Sequence, residues 1–288
     1  MRFVQFSEDG AKGLAVDQAG ILRGLNENEA GYPGSLHSLL NAGAGALKAA
    51  HNRLSDARLL DPSQIRYLPP LERPGKIVCV GLNYADHTKE SPYEQPSYPT
   101  FFPRFASSLI GHGESIVRPR VSEQLDFEGE LAVVIGIGGR HISKDRALEH
   151  VAGYAIFNEA SIRDYQFKSP QWTIGKNFDA TGAFGPTFVS ADELPPGASG
   201  LSLVTRLNGA IVQQGNTADM VFSVADLISI LSEAVTLEPG DVIVTGTPAG
   251  IGWARRPPLF MKPGDLCTVE IEGLGTLSNP IADEQPPA

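Results

Sequence analysis

Turn-forming residues interrupt this chain so often that short strands are favoured over a helical bundle. The sequence holds 31 glycines and 22 prolines, residues that permit positive φ, fix φ or remove a backbone donor. Short apolar runs bounded by such residues read as strands, and they occur at Lys76–Val80, Leu131–Ile135, Gly153–Phe157, Ser202–Leu207, Val242–Thr245 and Leu266–Ile271. Pro239-Gly240-Asp241 and Pro263-Gly264-Asp265 each introduce a strand, and Asn208-Gly209 signals a hairpin because a type I′ turn needs positive φ at both central positions. Helices are expected from Ser35 to about His51, near Lys144–His150 and over Ser223–Ser232. In the first, Leu36, Leu39, Leu40, Ala44, Leu47 and Ala50 recur at helical spacing and Ser35 is placed to cap.

Residues 1 to about 30 alternate apolar and polar around Asp9-Gly10 and Gly20, the pattern of a small antiparallel meander. Pro62, Pro69, Pro70 and Pro74 punctuate the stretch before Lys76, which sets an expected boundary near residue 70. A small N-terminal domain and linker (1–70) and one catalytic-sized unit (71–288) follow. The net charge of -10 and the lack of any basic run beyond Arg255-Arg256 argue against a nucleic-acid surface. No apolar stretch approaches the roughly 18 residues of a membrane span. The opening MRFVQFSEDG has an acidic pair where a secretory signal would continue its apolar run, so a cytoplasmic location is expected. Cys79 and Cys267 sit in apolar runs as small buried hydrophobes rather than as a disulfide.

The sharpest chemical feature is Asp126-Phe127-Glu128-Gly129-Glu130, which leads directly into the apolar run LAVVIG. Strand side chains alternate, so Glu128 and Glu130 would point to one face and repel each other unless a hard cation lies between them. A solvent-facing acidic strand end would show the same E-x-E pattern. Glu159 adds a third carboxylate at the end of the run GYAIFN, and three carboxylates leave open positions on a six-coordinate ion for a chelating 2-oxo acid and water. Asp126 and Asp164 are rival ligands whose alternative role is bonding to backbone amides. The phrase Thr245-Gly246-Thr247-Pro248-Ala249-Gly250-Ile251-Gly252 either lets amides approach an anion or simply closes a strand, and it lacks the lysine of a phosphate loop. His112 and His141 stand apart from any ligand spacing.

Four blocks in one order, VGLNYADHTKE, DFEGELAVVIG, GYAIFNEASIRDYQ with WTIGKNFD, and VIVTGTPAGIG, resemble the fumarylacetoacetate hydrolase superfamily over roughly residues 72 to 281. The first seventy residues are similar only to the small N-terminal domain of its longer members. The resemblance implies an α+β fold centred on a mixed, rolled β-sandwich, assembled as a homodimer. It implies metal ligands at Glu128, Glu130 and Glu159 for Mg²⁺ or Mn²⁺, with Ca²⁺ also compatible, although the third ligand is aspartate in many members. It further implies a His87–Glu90 catalytic dyad on a lid segment, where i, i+3 spacing lets the carboxylate orient the imidazole. Lys176 would face the substrate oxyanion, and Arg163, Gln166 and Thr247 would contact the substrate.

The implied reaction is hydrolysis of the C–C bond in an acylpyruvate or other 2,4-dioxo acid, with the enolate held by the metal and Lys176. Oxaloacetate-type decarboxylation and isomerisation or hydration of a 2-oxo-enoic acid use the same equipment. A binding protein without activity would have no need of the acids, His87, Glu90 and Lys176 together. The side group of the substrate is expected to meet Ser91–Phe105 and residues 253–261.

Overall fold

A computed structural model describes residues 1–91 and 93–286. Strands dominate, as the turn density requires, and they form two main layers. The larger is a mixed sheet that runs, edge to edge, through Ile21–Asn26, Ala11–Gln18, Arg2–Glu8, Gly182–Ser190, Val151–Glu159, Gly129–Ile135, Val242–Val244, Ile77–Gly81 and Thr100–Pro103. The smaller runs through Ala210–Asn216, Ser202–Leu207, Leu266–Ile271, Gly275–Asp283 and Ile116–Arg118. This is the α+β, sheet-dominated roll that the resemblance implies.

Alternation along the Gly129–Ile135 strand sorts its side chains between two cores. Leu131, Val133 and Ile135 join the cluster shared with Leu203, Val269 and Leu277 of the smaller sheet. Ala132 and Val134 face the other way, into a cluster with Ala155, Phe157, Phe184 and the N-terminal helices. Gly129 has the parity of the first face. A Cβ there would stand 2.3 Å from Thr205 Oγ1 and 3.0 Å from Val269, so the glycine lets the two sheets close at this point.

The N-terminal segment is tied to the large sheet. Arg2–Glu8 pairs antiparallel with Gly182–Ser190, Phe3 opposite Phe188, and Leu36, Leu40, Leu47 and Leu54 bury against the same cluster as Val134 and Phe157. The helix expected from Ser35 to His51 is two helices, Leu36–Ala42 and Ala44–Ser55. Gly43 separates them at φ +90, outside the helical region, while Ser35 does cap the start by accepting from Ser38 N–H at 3.2 Å. The expected Lys144–His150 helix is only a 3₁₀ turn at Ala147–His150, because Val151 must already be extended to pair with Ile135. Val224–Ala234 forms as expected, with a reciprocal capping box between Ser223 and Asp226. Asn208 (φ 52) and Gly209 (φ 83) make the hairpin turn between Ser202–Leu207 and Ala210–Asn216. Cys79 and Cys267 are buried free thiols. No described helix is long and apolar enough to cross a membrane.

Candidate metal centre and active-site cleft

The acidic cluster follows from strand register. Gly129 lies opposite Asn158 and Glu130 opposite Phe157, so Glu128 and Glu159 meet at the strand ends, where Glu159 N–H donates to the Glu128 carbonyl at 2.9 Å. Glu128, Glu130 and Glu159 share one face. Each offers a carboxylate oxygen lying within 4.8 Å of the others, and all three residues are at most 3% exposed. Burying ions costs several kcal/mol each unless they are compensated. Part of the compensation is in the chain: Lys176 Nζ bonds Glu128 Oε2 at 2.6 Å and Glu159 Oε2 at 3.0 Å, and Arg163 lies 2.7 Å from Glu128 Oε1.

The remainder points to a cation. Glu159 Oε1 is buried and accepts no hydrogen bond among the described residues, although Arg104 NH1 lies 3.5 Å from it. The Glu130 carboxyl is pushed well above the usual range by its burial and then by Glu159 and Glu128, against the pull of Lys176 and the Gly246 amide. Burial also opposes ionisation of Glu128, but Lys176, Arg163 and His87 outweigh it and hold that carboxyl below its ordinary value. Lys176 is raised although burial acts the other way, because Glu128 and Glu159 favour its charge. An all-oxygen donor set of three buried carboxylates, one oxygen of which accepts no hydrogen bond among the described residues, fits a hard divalent ion such as Mg²⁺, Mn²⁺ or Ca²⁺.

Above the acids, the short helix Ala85–Glu90 places His87 in the same cleft, with Nδ1 3.0 Å from Glu90 Oε1. Glu90 also accepts from Gly250 N–H at 2.9 and 3.0 Å, so it acts as an acceptor and His87 Nδ1 as the donor. In a neutral ring that arrangement would leave the lone pair on Nε2.

His87, the three glutamates, Arg163, Gln166, Lys176 and Thr247 all line one narrow cleft, and Glu90 backs it through His87. Arg163 donates to Asp126 Oδ2 and Gln166 Oε1, both at 2.8 Å. Thr247 Oγ1 donates to the Gly129 carbonyl at 2.9 Å and accepts from Gln213 Nε2 at 2.8 Å. Asp126 accepts the amides of Gly252 and Trp253 and pairs with Arg163, so it organises the loop beside the acids instead of joining their cluster. Asp164 accepts from Ser122 Oγ at 2.6 Å.

Sequence reasoning missed two contributors. Arg104, buried between Thr181, Ser108 and the Ala160 carbonyl, has NH1 3.5 Å from Glu159 Oε1. Gln213 bridges Gly129 N–H to Thr247 and the Pro248 carbonyl. Neither sits in a chemically loaded motif, since each arrives from a distant strand or loop. An arginine following the apolar TFFP run was the only local signal.

Carboxylates at adjoining strand ends, beside a histidine oriented by Glu90, make the class of this molecule that of an enzyme rather than a passive scaffold. The chain belongs to the fumarylacetoacetate hydrolase family: the model described as Fumarylacetoacetate (FAA) hydrolase C-terminal matches residues 76–282. It is 41% identical over 288 residues to the human mitochondrial oxaloacetate tautomerase FAHD2A, covering 98% of this chain and 91% of that protein. A solved fumarylacetoacetate hydrolase from psychrophilic Exiguobacterium antarcticum superposes with a TM-score of 0.86 at 36% identity, over 99% of this chain and 100% of that one. A probable 2-hydroxyhepta-2,4-diene-1,7-dioate isomerase from Mycobacterium abscessus does so with a TM-score of 0.80 at 28% identity, over 99% and 100%.

Proposed function

We propose that this chain interconverts the enol and keto forms of a small 2-oxo acid, with oxaloacetate the first candidate, in a cleft that takes a divalent cation on Glu128, Glu130 and Glu159. The observation that carries the reading is the placement of His87, held through Nδ1 by Glu90, in the same cleft as the three buried acids and Lys176. Tautomerisation needs only a proton moved between carbon and oxygen and a counter-charge for the oxyanion. His87 Nε2 takes and returns the proton, and Glu90 holds the ring by Nδ1. The buried Lys176 ammonium supplies fixed positive charge beside the site. When bound, the cation supplies Lewis-acid polarisation of the 2-oxo carbonyl. Full-length similarity to an oxaloacetate tautomerase supports this choice over C–C cleavage.

Hydrolysis of an acylpyruvate is a second reading. The observation favouring it is that Tyr93 and Phe167, which line the cleft with His87, are each 38% exposed, so the cleft communicates with solvent.

One assay separates the two. Loss of the enol form of oxaloacetate and release of pyruvate from acetylpyruvate are followed with Mg²⁺ or Mn²⁺ and with chelator, on wild type and His87→Ala. We expect enol loss to be accelerated, and the mutant to retain roughly 10⁻² to 10⁻⁴ of that rate. Wild type without effect on the enol, but releasing pyruvate in a His87-dependent way, overturns the tautomerase reading in favour of the hydrolase.

A further inference from the structure

We infer that Arg104 is a positioning residue that sets which divalent ion the cleft takes: by holding Glu159 to one-oxygen ligation, it selects a six-coordinate ion such as Mn²⁺ or Mg²⁺ over Ca²⁺. This rests on the reading that Glu128, Glu130 and Glu159 seat the cation, and goes beyond it by assigning the choice of ion to a side chain outside the three acids.

Arg104 follows the edge strand Thr100–Pro103 and is 3% exposed. Its guanidinium is pinned from several directions: Nε donates to Ser108 Oγ at 3.1 Å, NH2 donates to Thr181 Oγ1 at 2.8 Å, and the group lies 5.5 Å from the Phe157 ring centroid. Phe157 and Glu159 alternate along one strand and so share the face on which the guanidinium lies. Gly182 stands opposite Glu159 in the neighbouring strand, and a Cβ there would come within 2.7 Å of Arg104 Nε, so the glycine leaves the guanidinium its place. The remaining nitrogen, NH1, donates to no described residue and faces Glu159 Oε1 at 3.5 Å. Burying a charge is costly unless an opposite one answers it. The hydrogen-bonding partners of Arg104 are neutral, and Glu159 supplies that opposite charge.

Glu159 therefore stands between two fixed cations, Arg104 toward Oε1 and Lys176 on Oε2 at 3.0 Å. An ion can share one of these oxygens while the other stays with its cation, whereas chelation by both would displace both cations. The other acids are also held, Glu128 by Arg163 and Lys176 and Glu130 by the Gly246 amide, 2.6 Å from Oε2. Three carboxylates giving one oxygen each suit an octahedral ion and leave positions for a chelating 2-oxo acid and water. Ca²⁺ takes roughly six to eight oxygens and commonly uses bidentate carboxylates to reach that number. Lys176 and Arg163 line the cleft, but Arg104 does not, so replacing it frees Glu159 without removing a group that faces substrate.

The test is Mn²⁺ binding to the chelator-treated, full-length protein by electron paramagnetic resonance, with Ca²⁺ as the displacing ion. Wild type, Arg104→Met and Arg104→Lys are compared, and thermal melting without added ion verifies that each is folded. Wild type is expected to hold Mn²⁺ at least about tenfold more tightly than Ca²⁺. In Arg104→Met the ratio should fall to within about threefold, because a released Glu159 can turn and chelate with both oxygens. Arg104→Lys keeps the charge without the planar fork, so its ratio should fall only part of the way, and it carries the test if Arg104→Met is unfolded. A merely structural role would weaken both ions alike and leave the ratio unmoved. Equal affinities in wild type, or a ratio unchanged in every folded variant, overturns the role of Arg104 and leaves the cation site standing. Binding of neither ion to wild type overturns the cation site and this inference with it.

Discussion

At the scale of single residues, Gly129 links the fold to the site more directly than any acid does. It lies between Glu128 and Glu130 in the chain, yet faces the opposite side of the strand, where the smaller sheet closes on it. The two glutamates share a face only if this intervening position turns toward that packed interface. Replacement by alanine would put a Cβ 2.3 Å from Thr205 Oγ1 and 3.0 Å from Val269, which overpacks the buried junction between the sheets. We expect Gly129→Ala to cost about 1–3 kcal/mol in urea unfolding. A loss below about 0.5 kcal/mol would show that the sheets are not held this closely.

At the scale of elements, the helix Val224–Ala234 gives a local test of electrostatics well away from the cleft. Ser223 Oγ accepts from Asp226 N–H, Asp226 accepts from Ser223 N–H, and Lys144 Nζ lies 2.6 Å from Asp226 Oδ1. Partial burial raises the Asp226 carboxyl, but Lys144 and Ser223 outweigh it and the net shift is downward. A carboxyl depressed in the folded state adds stability that is present above its unfolded value, about 3.9. That stability is lost as pH falls through the folded value. Asp226→Asn should therefore be less stable than wild type at pH 7, by roughly the 1 kcal/mol of a lost cap, and the gap should close below about pH 4. Chemical denaturation across that range measures it, and a gap that persists at acid pH would assign the effect to packing instead of charge.

At the scale of the whole molecule, the cleft is assembled from segments that no local fold could bring together. Its acids come from two strands of the large sheet, its histidine from the helix Ala85–Glu90, Lys176 from a loop and Thr247 from the turn after Val242–Val244. A divalent ion seated on the three acids would join the two acid-bearing strand segments in the native state only. Mn²⁺ or Mg²⁺ at about a hundred times its dissociation constant should add about 2.7 kcal/mol. This would be seen as a raised melting temperature that chelator reverses and that Glu159→Gln abolishes. An unchanged melting temperature with either ion would remove the metal centre.

The sequence by itself determined the alternation that puts Glu128 and Glu130 on one face, because strand periodicity is local. It also determined the strands Ser202–Leu207 and Leu266–Ile271 to the residue, since turn residues bound both. It indicated the cap at Ser35 but not the break at Gly43, because helical spacing survives a glycine in the pattern while the backbone does not. Only the tertiary structure decided that Glu159 stands beside Glu128, that Asp126 holds amides and Arg163 instead of joining the acids, and that Arg104 and Gln213 brace the site. Each of these depends on pairing between residues far apart in the chain, and register and packing, which set such pairings, leave no trace in any one segment.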